Sequence, residues 1–284
     1  MNKAFKVKFR LKIAELIILL SQNKFFVRGK IRNFIWRSIE KIINYDTNSD
    51  PKTSRVKTIV DGIPFYIYFD YRSDVKIAFG NYNKKEIEFI KKCMTTNSTF
   101  VDVGSNIGIY TMNIASIYPQ TNFFKILSIE ANPLMIERQK ENIDLLNKEK
   151  MGVKKKIILE NYAVSNNQGN LQLDLKHGYG SASISKDETK DSITVKSNTL
   201  MEILHNHKID TITCLKIDIE GHEDKALIPF FKLAQSSLYP LNIVMESSSK
   251  QNWEEEPDLI EFLSQIGYET QFETRGNICL TLKR

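Results

Sequence analysis

Little in this chain points to a crosslinked, fibrous or membrane-spanning protein. Only three cysteines occur among the 284 residues, Cys93, Cys214 and Cys279, widely spaced and with no C-x-x-C pair. An odd, scattered set implies neither a disulfide framework nor a zinc site. Cys214 and Cys279 stand in apolar strand-like runs, where buried reduced thiols are common, and this suits a reducing compartment. With 12 glycines, 7 prolines and 26% charged residues, collagen-like and wholly disordered classes are excluded as well. Long apolar runs are also missing near the start: residues 16–20 fall far short of the roughly 20 needed to span a bilayer. Glu15 interrupts that patch and no small-residue cleavage pattern follows, so it does not read as a secretory signal. The expected location is cytoplasmic.

What is present is enough apolar sequence, 42%, for one substantial core and an appendage. The net charge of +6 is uneven: residues 1–60 hold 14 Lys and Arg against 4 Asp and Glu, a local +10, which leaves −4 for the rest. Phe5, Phe9, Ile13, Leu16, Ile17 and Leu20, then Ile31, Phe34, Ile35, Ile39 and Ile42, recur near a 3.6-residue period opposite Lys and Arg. Two basic amphipathic helices are expected, ending at a linker over residues 46–51. They suit packing on the main domain, docking on a partner, or lying on an anionic membrane surface through residues 1–45. The expected division is a helical appendage over residues 1–55 and a main domain over 56–284. Within the latter, residues 56–98 form a hairpin and helix and 99–284 the core.

From residue 56 the pattern turns to strand, with a hairpin over 56–60 and 65–69 about Asp61-Gly62 and a helix over 84–94. Strands at 99–103, 125–130, 156–159, 213–219 and 242–246 then alternate with helices at 107–117, 133–147, 199–206, 222–233 and 257–266. Further β-rich pieces fall at 171–175 and 193–195, and a last pair at 268–272 and 278–282. Such alternation predicts an α/β fold: an open, mainly parallel sheet with helices on both faces, ending in an antiparallel pair.

Three places carry chemistry. VDVGSNIG, residues 101–108, runs an apolar strand into a glycine-marked turn and a helix. Gly104 permits the turn, Gly108 lets the helix approach the sheet, and helix amides can receive an anion. The spacing is G-x-x-x-G, not the G-x-G-x-x-G of pyrophosphate binders, and S-adenosylmethionine needs no phosphate cradle. Its carboxylate can meet donated N–H groups while Asp102 serves its ammonium. At residues 127–130, LSIE ends a strand on Glu130, where a carboxylate can hold two ribose hydroxyls; Asn132 and Pro133 then open a helix. At residues 215–222, LKIDIEGH sets Lys216, Asp218 and Glu220 on one face of a strand expected to be covered on both sides. Asp218 and Glu220 then share one site, or Lys216 pairs with a carboxylate to close the strand end.

At these places the sequence resembles the FkbM-type methyltransferases, whose V-D-V-G-x-N-x-G, I-E-x-N-P and K-I-D-x-E-G-x-E segments read here VDVGSNIG, IEANP and KIDIEGHE. Softer matches lie at residues 161–165 and 195–204, and the resemblance runs from about residue 79 to 246. It implies a Rossmann-like seven-stranded fold, S-adenosyl-L-methionine as cofactor, and hydroxyls of sugars or polyketide-like metabolites as acceptors. It assigns Asp102, Gly104, Asn106, Gly108 and Glu130 to the cofactor pocket and Ala163 and Val164 to the segment near adenine. Asn166 and Asn167 depart from it where an acid is common, and Asn198 where threonine is usual. Nothing in it covers residues 1–55.

Methyl transfer from a sulfonium is an in-line displacement in which a base must take the hydroxyl proton. Asp218, Glu220 and His222 are the candidates, with His177, Tyr179 and Ser181 as weaker ones for holding a small-molecule or glycan acceptor. Asp218, Glu220 and Glu246 suit a divalent ion by their hard oxygens, but nothing requires one and no metal is expected. The basic first 60 residues leave RNA methylation open, although N-P-P-Y and D-P-P-Y motifs are absent. A noncatalytic, membrane-associated cofactor fold is the other alternative.

Overall fold

The computed structural model describes Lys12 and residues 55–68, 71–78, 82–117, 124–150, 157–175, 182–185 and 188–283. The expected basic helices, Lys12 apart, their linker, and His177, Tyr179 and Ser181 lie outside the described residues. The chain divides into two compact units, Met1–Lys84 and Lys85–Arg284.

In the first unit, β1 (Arg55–Val60) and β2 (Ile63–Tyr68) pair antiparallel, from Arg55 opposite Tyr68 to Val60 opposite Ile63. Asp61 and Gly62 both take positive φ, 50° and 82°, the turn whose twist matches the strands it joins. A short helix that the periodicity did not reveal, α1 (Arg72–Ala78), follows; Asp74 in its first turn accepts from the Tyr68 N–H at 2.9 Å.

The second unit is built on a seven-stranded sheet. Its elements are α2 (Lys84–Cys93), β3 (Thr99–Val103), α3 (Ile109–Ile117), β4 (Lys125–Ile129), α4 (Pro133–Glu149), β5 (Ile157–Glu160), β6 (Ala163–Val164), β7 (Gly169–Asp174), β8 (Ser183–Ser185), β9 (Ser192–Asn198), α5 (Leu200–Asn206), β10 (Cys214–Ile217), α6 (Glu223–Leu233), β11 (Asn242–Glu246), α7 (Leu259–Gln265), β12 (Tyr268–Glu273) and β13 (Asn277–Leu282). The sheet order is β12-β13-β11-β10-β3-β4-β5, parallel except for β13, which runs antiparallel to both neighbours. Strand order reverses between β3 and β10, and in open α/β sheets ligands bind at the carboxyl ends beside such a reversal.

Side-chain alternation divides the two faces. Val101, Val103, Leu127, Ile129, Leu215, Ile217, Ile243 and Met245 join Leu204, Leu227, Phe230 and Leu263 of α5, α6 and α7 in one core. The opposite face is polar at its centre, with Asp102, Ser128 and Lys216 buried. Thr111 of α3 bonds Asp102 and Ser128 there, and Gln139 of α4 donates to Ser128 Oγ at 2.6 Å. Glu86 of α2 accepts from Thr274 Oγ1 and Asn277 Nδ2, at 2.6 and 3.0 Å. The expected helices on both faces are therefore present. The β-rich pieces between residues 163 and 198 form a separate four-stranded sheet, β6-β9-β7-β8. Among the described residues no helix is long and apolar enough to cross a membrane.

Candidate active site

The glycine turn leaves β3 in a tight, fully specified form. Gly104 has φ +69°, and a Cβ there would lie 1.9 Å from the carbonyl oxygen of Asp218. Glycine is thus required twice, by the left-handed backbone and by the close approach of the chain leaving β10. The Gly104 and Ser105 N–H groups donate to the Ile129 carbonyl, at 2.9 and 3.1 Å, which ties the turn to β4. Gly108 has φ +86°, and a Cβ there would press on the Gln139 side chain at 2.8 Å; that side chain accepts from Ser105 Oγ at 3.0 Å. The absence of a Cβ at Gly108 thus lets α4 pack close against the turn.

Glu130 sits where β4 ends, across from this turn. Its Oε2 accepts from the Asn106 N–H and its Oε1 from the Asn132 N–H, each at 2.8 Å. Asn106 has φ +52°, a conformation asparagine tolerates, and that turns its N–H toward the carboxylate. Asn132 caps α4, its Oδ1 accepting from the Leu134 N–H at 3.0 Å with Pro133 at the first helical turn. Burial pushes the Glu130 carboxyl up, against the lowering by those two N–H groups. Asn161 Nδ2 donates to the carbonyls of Glu130 and Ala131, at 2.8 and 2.9 Å, so the segment leading to Ala163 and Val164 borders the same strand end. Ala163 and Val164 are buried in β6, which pairs with Ser197 and Asn198 of β9.

Asp102 lies behind the turn, wholly buried. Its Oδ2 accepts from Thr111 N and Oγ1, at 3.1 and 2.7 Å; its Oδ1 has no hydrogen-bond partner and stands 3.7 Å from Lys216 Nζ. Lys216 Nζ in turn is 3.7 Å from Asp218 Oδ2. The pairing alternative for Lys216 is therefore present, and Asp102 and Asp218 share its ammonium. Burial alone would depress the Lys216 ammonium, but the carboxylates of Asp218, Asp102, Glu130 and Glu246 together hold it above its ordinary value.

The chain after β10 differs from the expected strand over 213–219. Regular pairing ends at Ile217; Asp218 still donates its N–H to Val103 O at 3.1 Å, and Glu220 and Gly221 then turn with φ +57° and +95°. Glu223, the last letter of KIDIEGHE, folds back to stabilise that turn. Its Oε1 accepts from the N–H groups of Ile219 and Gly221, at 2.8 and 3.4 Å, and its Oε2 from Trp253 Nε1 at 2.9 Å. Asp218 and Glu220 are thus related through a turn, not along a pleat. Burial first, then the charges of Asp218, Glu246 and Glu223, push the Glu220 carboxyl up to about 8. Burial likewise raises Glu223, to about 7, and Glu246, whose Oε1 accepts from Ser248 and Ser249. Among the described residues no three His, Cys, Asp or Glu side chains are grouped so as to hold a metal ion.

His222 turns to a different partner. Its Nε2 meets Ser165 Oγ at 2.9 Å, and the charges bearing on it are those of Lys225, Asp224 and Glu254. Burial lowers its pKa from 6.5, so the ring is neutral at neutral pH. The contact joins the α6 N-terminus to the segment that follows Val164. Ser165 closes the softer match at residues 161–165 but has no role assigned by it, and Trp253 carries no sequence signal; each gains its place through a partner 57 or 30 residues away.

The geometry invites comparison with known proteins. No curated protein sequence matches this chain. Among solved structures it is similar to the FkbM methyltransferase of Methylobacillus flagellatus KT, at 15% identity and TM-score 0.47, covering 74% of this chain and 52% of that one. This chain thus spans about half the length of that protein. It is similar also to a precorrin-6y C5,15-methyltransferase of Geobacter metallireducens GS-15, at 10% identity and TM-score 0.42, covering 71% and 88% of the two chains. A third likeness is to Trm5 of Methanocaldococcus jannaschii in complex with adenosine, at 14% identity and TM-score 0.42, covering 81% and 57%. The family model for the methyltransferase FkbM domain matches residues 102–270, which hold the glycine turn, the Glu130 strand end and the Asp218 turn. The chain belongs to the FkbM methyltransferase family.

Proposed function

We propose that this protein is an S-adenosylmethionine-dependent methyltransferase acting on a hydroxyl oxygen of an uncharged sugar, glycan or other small metabolite. One observation carries this reading: the contact of the Gly104 turn with the Asp218 carbonyl brings a partly exposed carboxylate beside a nucleoside-type turn. The residues present fit the cofactor. An ionised carboxylate offers about four acceptor sites, and Glu130 uses one on each oxygen, which leaves capacity for the ribose hydroxyls. Gly104, Asn106 and Gly108 would line the same pocket, with Ala163 and Val164 toward the purine and Asp102 supporting the turn from behind. The cofactor supplies a sulfonium methyl group, an electrophile needing no further activation.

The chain's own residues then orient the acceptor and receive its proton. Asp218 is the group we assign to take that proton as the oxygen–carbon bond forms and the carbon–sulfur bond breaks. Glu220, raised to about 8, keeps its proton at neutral pH and can donate a hydrogen bond that fixes the acceptor. His222, bonded to Ser165, joins the purine-side wall to this turn. Asp218, Glu130 and Glu246 gather at the strand ends about the buried Lys216, so a phosphodiester brought there would meet carboxylates. That supports an uncharged acceptor over RNA.

Calorimetry with S-adenosylhomocysteine tests the pocket, and transfer from labelled S-adenosylmethionine to neutral oligosaccharides and RNA tests the acceptor. Binding, with label in the sugars as a methyl ether and none in RNA, is expected. Label confined to RNA would overturn the acceptor class, and absence of binding the whole reading.

A further inference from the structure

Lys216 reaches both halves of the site. The residue is 3% exposed, and its strand neighbours are Asp102 on β3 and Val244 on β11. The ammonium donates to Gly104 O at 2.7 Å and to Val103 O at 3.3 Å, which spends two of its three donors on the backbone of the cofactor turn. Tyr110 of α3 closes the space on one side, its ring centroid 5.3 Å from Nζ. The carboxylates of Asp102 and Asp218 stand 3.7 Å away, beyond direct hydrogen bonding but well inside the range where opposite charges in a dry interior attract strongly. Asp102 is fixed in place by Thr111, so the movable member of the trio is Asp218, 22% exposed at the mouth.

We propose that Lys216 is the positioning residue of this centre, one ammonium setting the Gly104 carbonyl of the cofactor turn and the Asp218 carboxylate at a fixed separation. Methyl donor and proton acceptor are thereby placed by a single buried charge. An in-line displacement is sensitive to that separation, since misplacement by about 1 Å is worth on the order of a hundredfold in rate. Neutral side chains at this position fill the space but hold neither partner. The inference rests on the methyltransferase reading above, and the wild-type protein serves to separate the two.

The full chain carrying Lys216→Met is to be compared with wild type for S-adenosylhomocysteine affinity and for turnover on neutral oligosaccharides at saturating S-adenosylmethionine. Affinity at least tenfold weaker, together with turnover at least a hundredfold lower, is expected. Affinity within threefold of wild type overturns the hold on the turn. Weakened affinity with turnover at saturation unchanged overturns the hold on Asp218 and leaves Lys216 a structural part only. Where Lys216→Met leaves the Asp102 charge buried and the chain unfolded, the pair Lys216→Met and Asp102→Asn removes that charge, and the same thresholds apply against Asp102→Asn alone. A wild-type chain that binds no S-adenosylhomocysteine would instead refute the methyltransferase reading.

Discussion

Two glycines with similar backbone angles show how differently one residue type is used. Gly104 at φ +69° has the Asp218 carbonyl oxygen 1.9 Å from where a Cβ would be, whereas Gly62 at φ +82° has nothing within 4 Å. Gly62→Ala should therefore lose only the left-handed penalty, about 1 to 2 kcal/mol. Gly104→Ala adds a backbone clash and should lose about 3 kcal/mol or more, together with cofactor affinity. Urea midpoints of the two variants, read side by side, check this, and equal losses would contradict the contact between turn and strand end. Glu220 gives a second residue-scale expectation. With its carboxyl raised to about 8, it is protonated at pH 7 and loses its proton above 8, so turnover should fall on the alkaline side. Glu220→Gln keeps a donor that does not titrate, and its pH–rate profile should lose that limb.

At the scale of elements, Glu223 decides how β10 hands over to α6. One carboxylate receives the N–H groups of Ile219 and Gly221 and the Trp253 indole, all in a turn with two successive left-handed residues. Glu223→Ala leaves those donors unmatched and should cost about 2 to 3 kcal/mol. A thermal melt checks the loss, and a shift no larger than that of an exposed glutamate such as Glu137 would remove the clamp from the account. The elements themselves were largely legible. Apolar alternation located Thr99–Val103 and Asn242–Glu246 to the residue, and Asn132-Pro133 marked the α4 start, because these signals are local. The periodicity does not reveal α1, Arg72–Ala78, a helix of seven residues directly after the hairpin. The sequence predicts a longer strand, 213–219, than the observed Cys214–Ile217 because Asp218 and Ile219 continue the pleated pattern, while the turn that ends it is held by Glu223 and Trp253 from beyond the strand.

For the molecule as a whole, the carboxyl groups set an unusual dependence of stability on pH. Glu220 and Glu223 are raised from 4.5 to about 8 and about 7, so the folded state holds protons that the unfolded chain has released. Their contribution is complete below about 4.5 and is lost as pH rises through 7 to 8. His222, lowered from 6.5, works in the opposite sense: its contribution is present above 6.5 and lost as pH falls through the folded value. Melting temperature should accordingly decline between pH 6.5 and 8.5, and Glu220→Gln should flatten that decline; a profile that rises over this interval would exclude the carboxyl cluster as its cause. The sequence by itself determined the α/β alternation, the glycine turn, the acidic strand ends and the family resemblance, since each is written in neighbours a few residues apart. Only tertiary structure decided that Lys216 bridges Gly104 and Asp218, that Asp102 is sealed behind Thr111, and that His222 faces Ser165. The physical reason is that charge and hydrogen bonding act through space: a buried ammonium or carboxylate takes its role from partners that the fold, and not the chain order, sets around it.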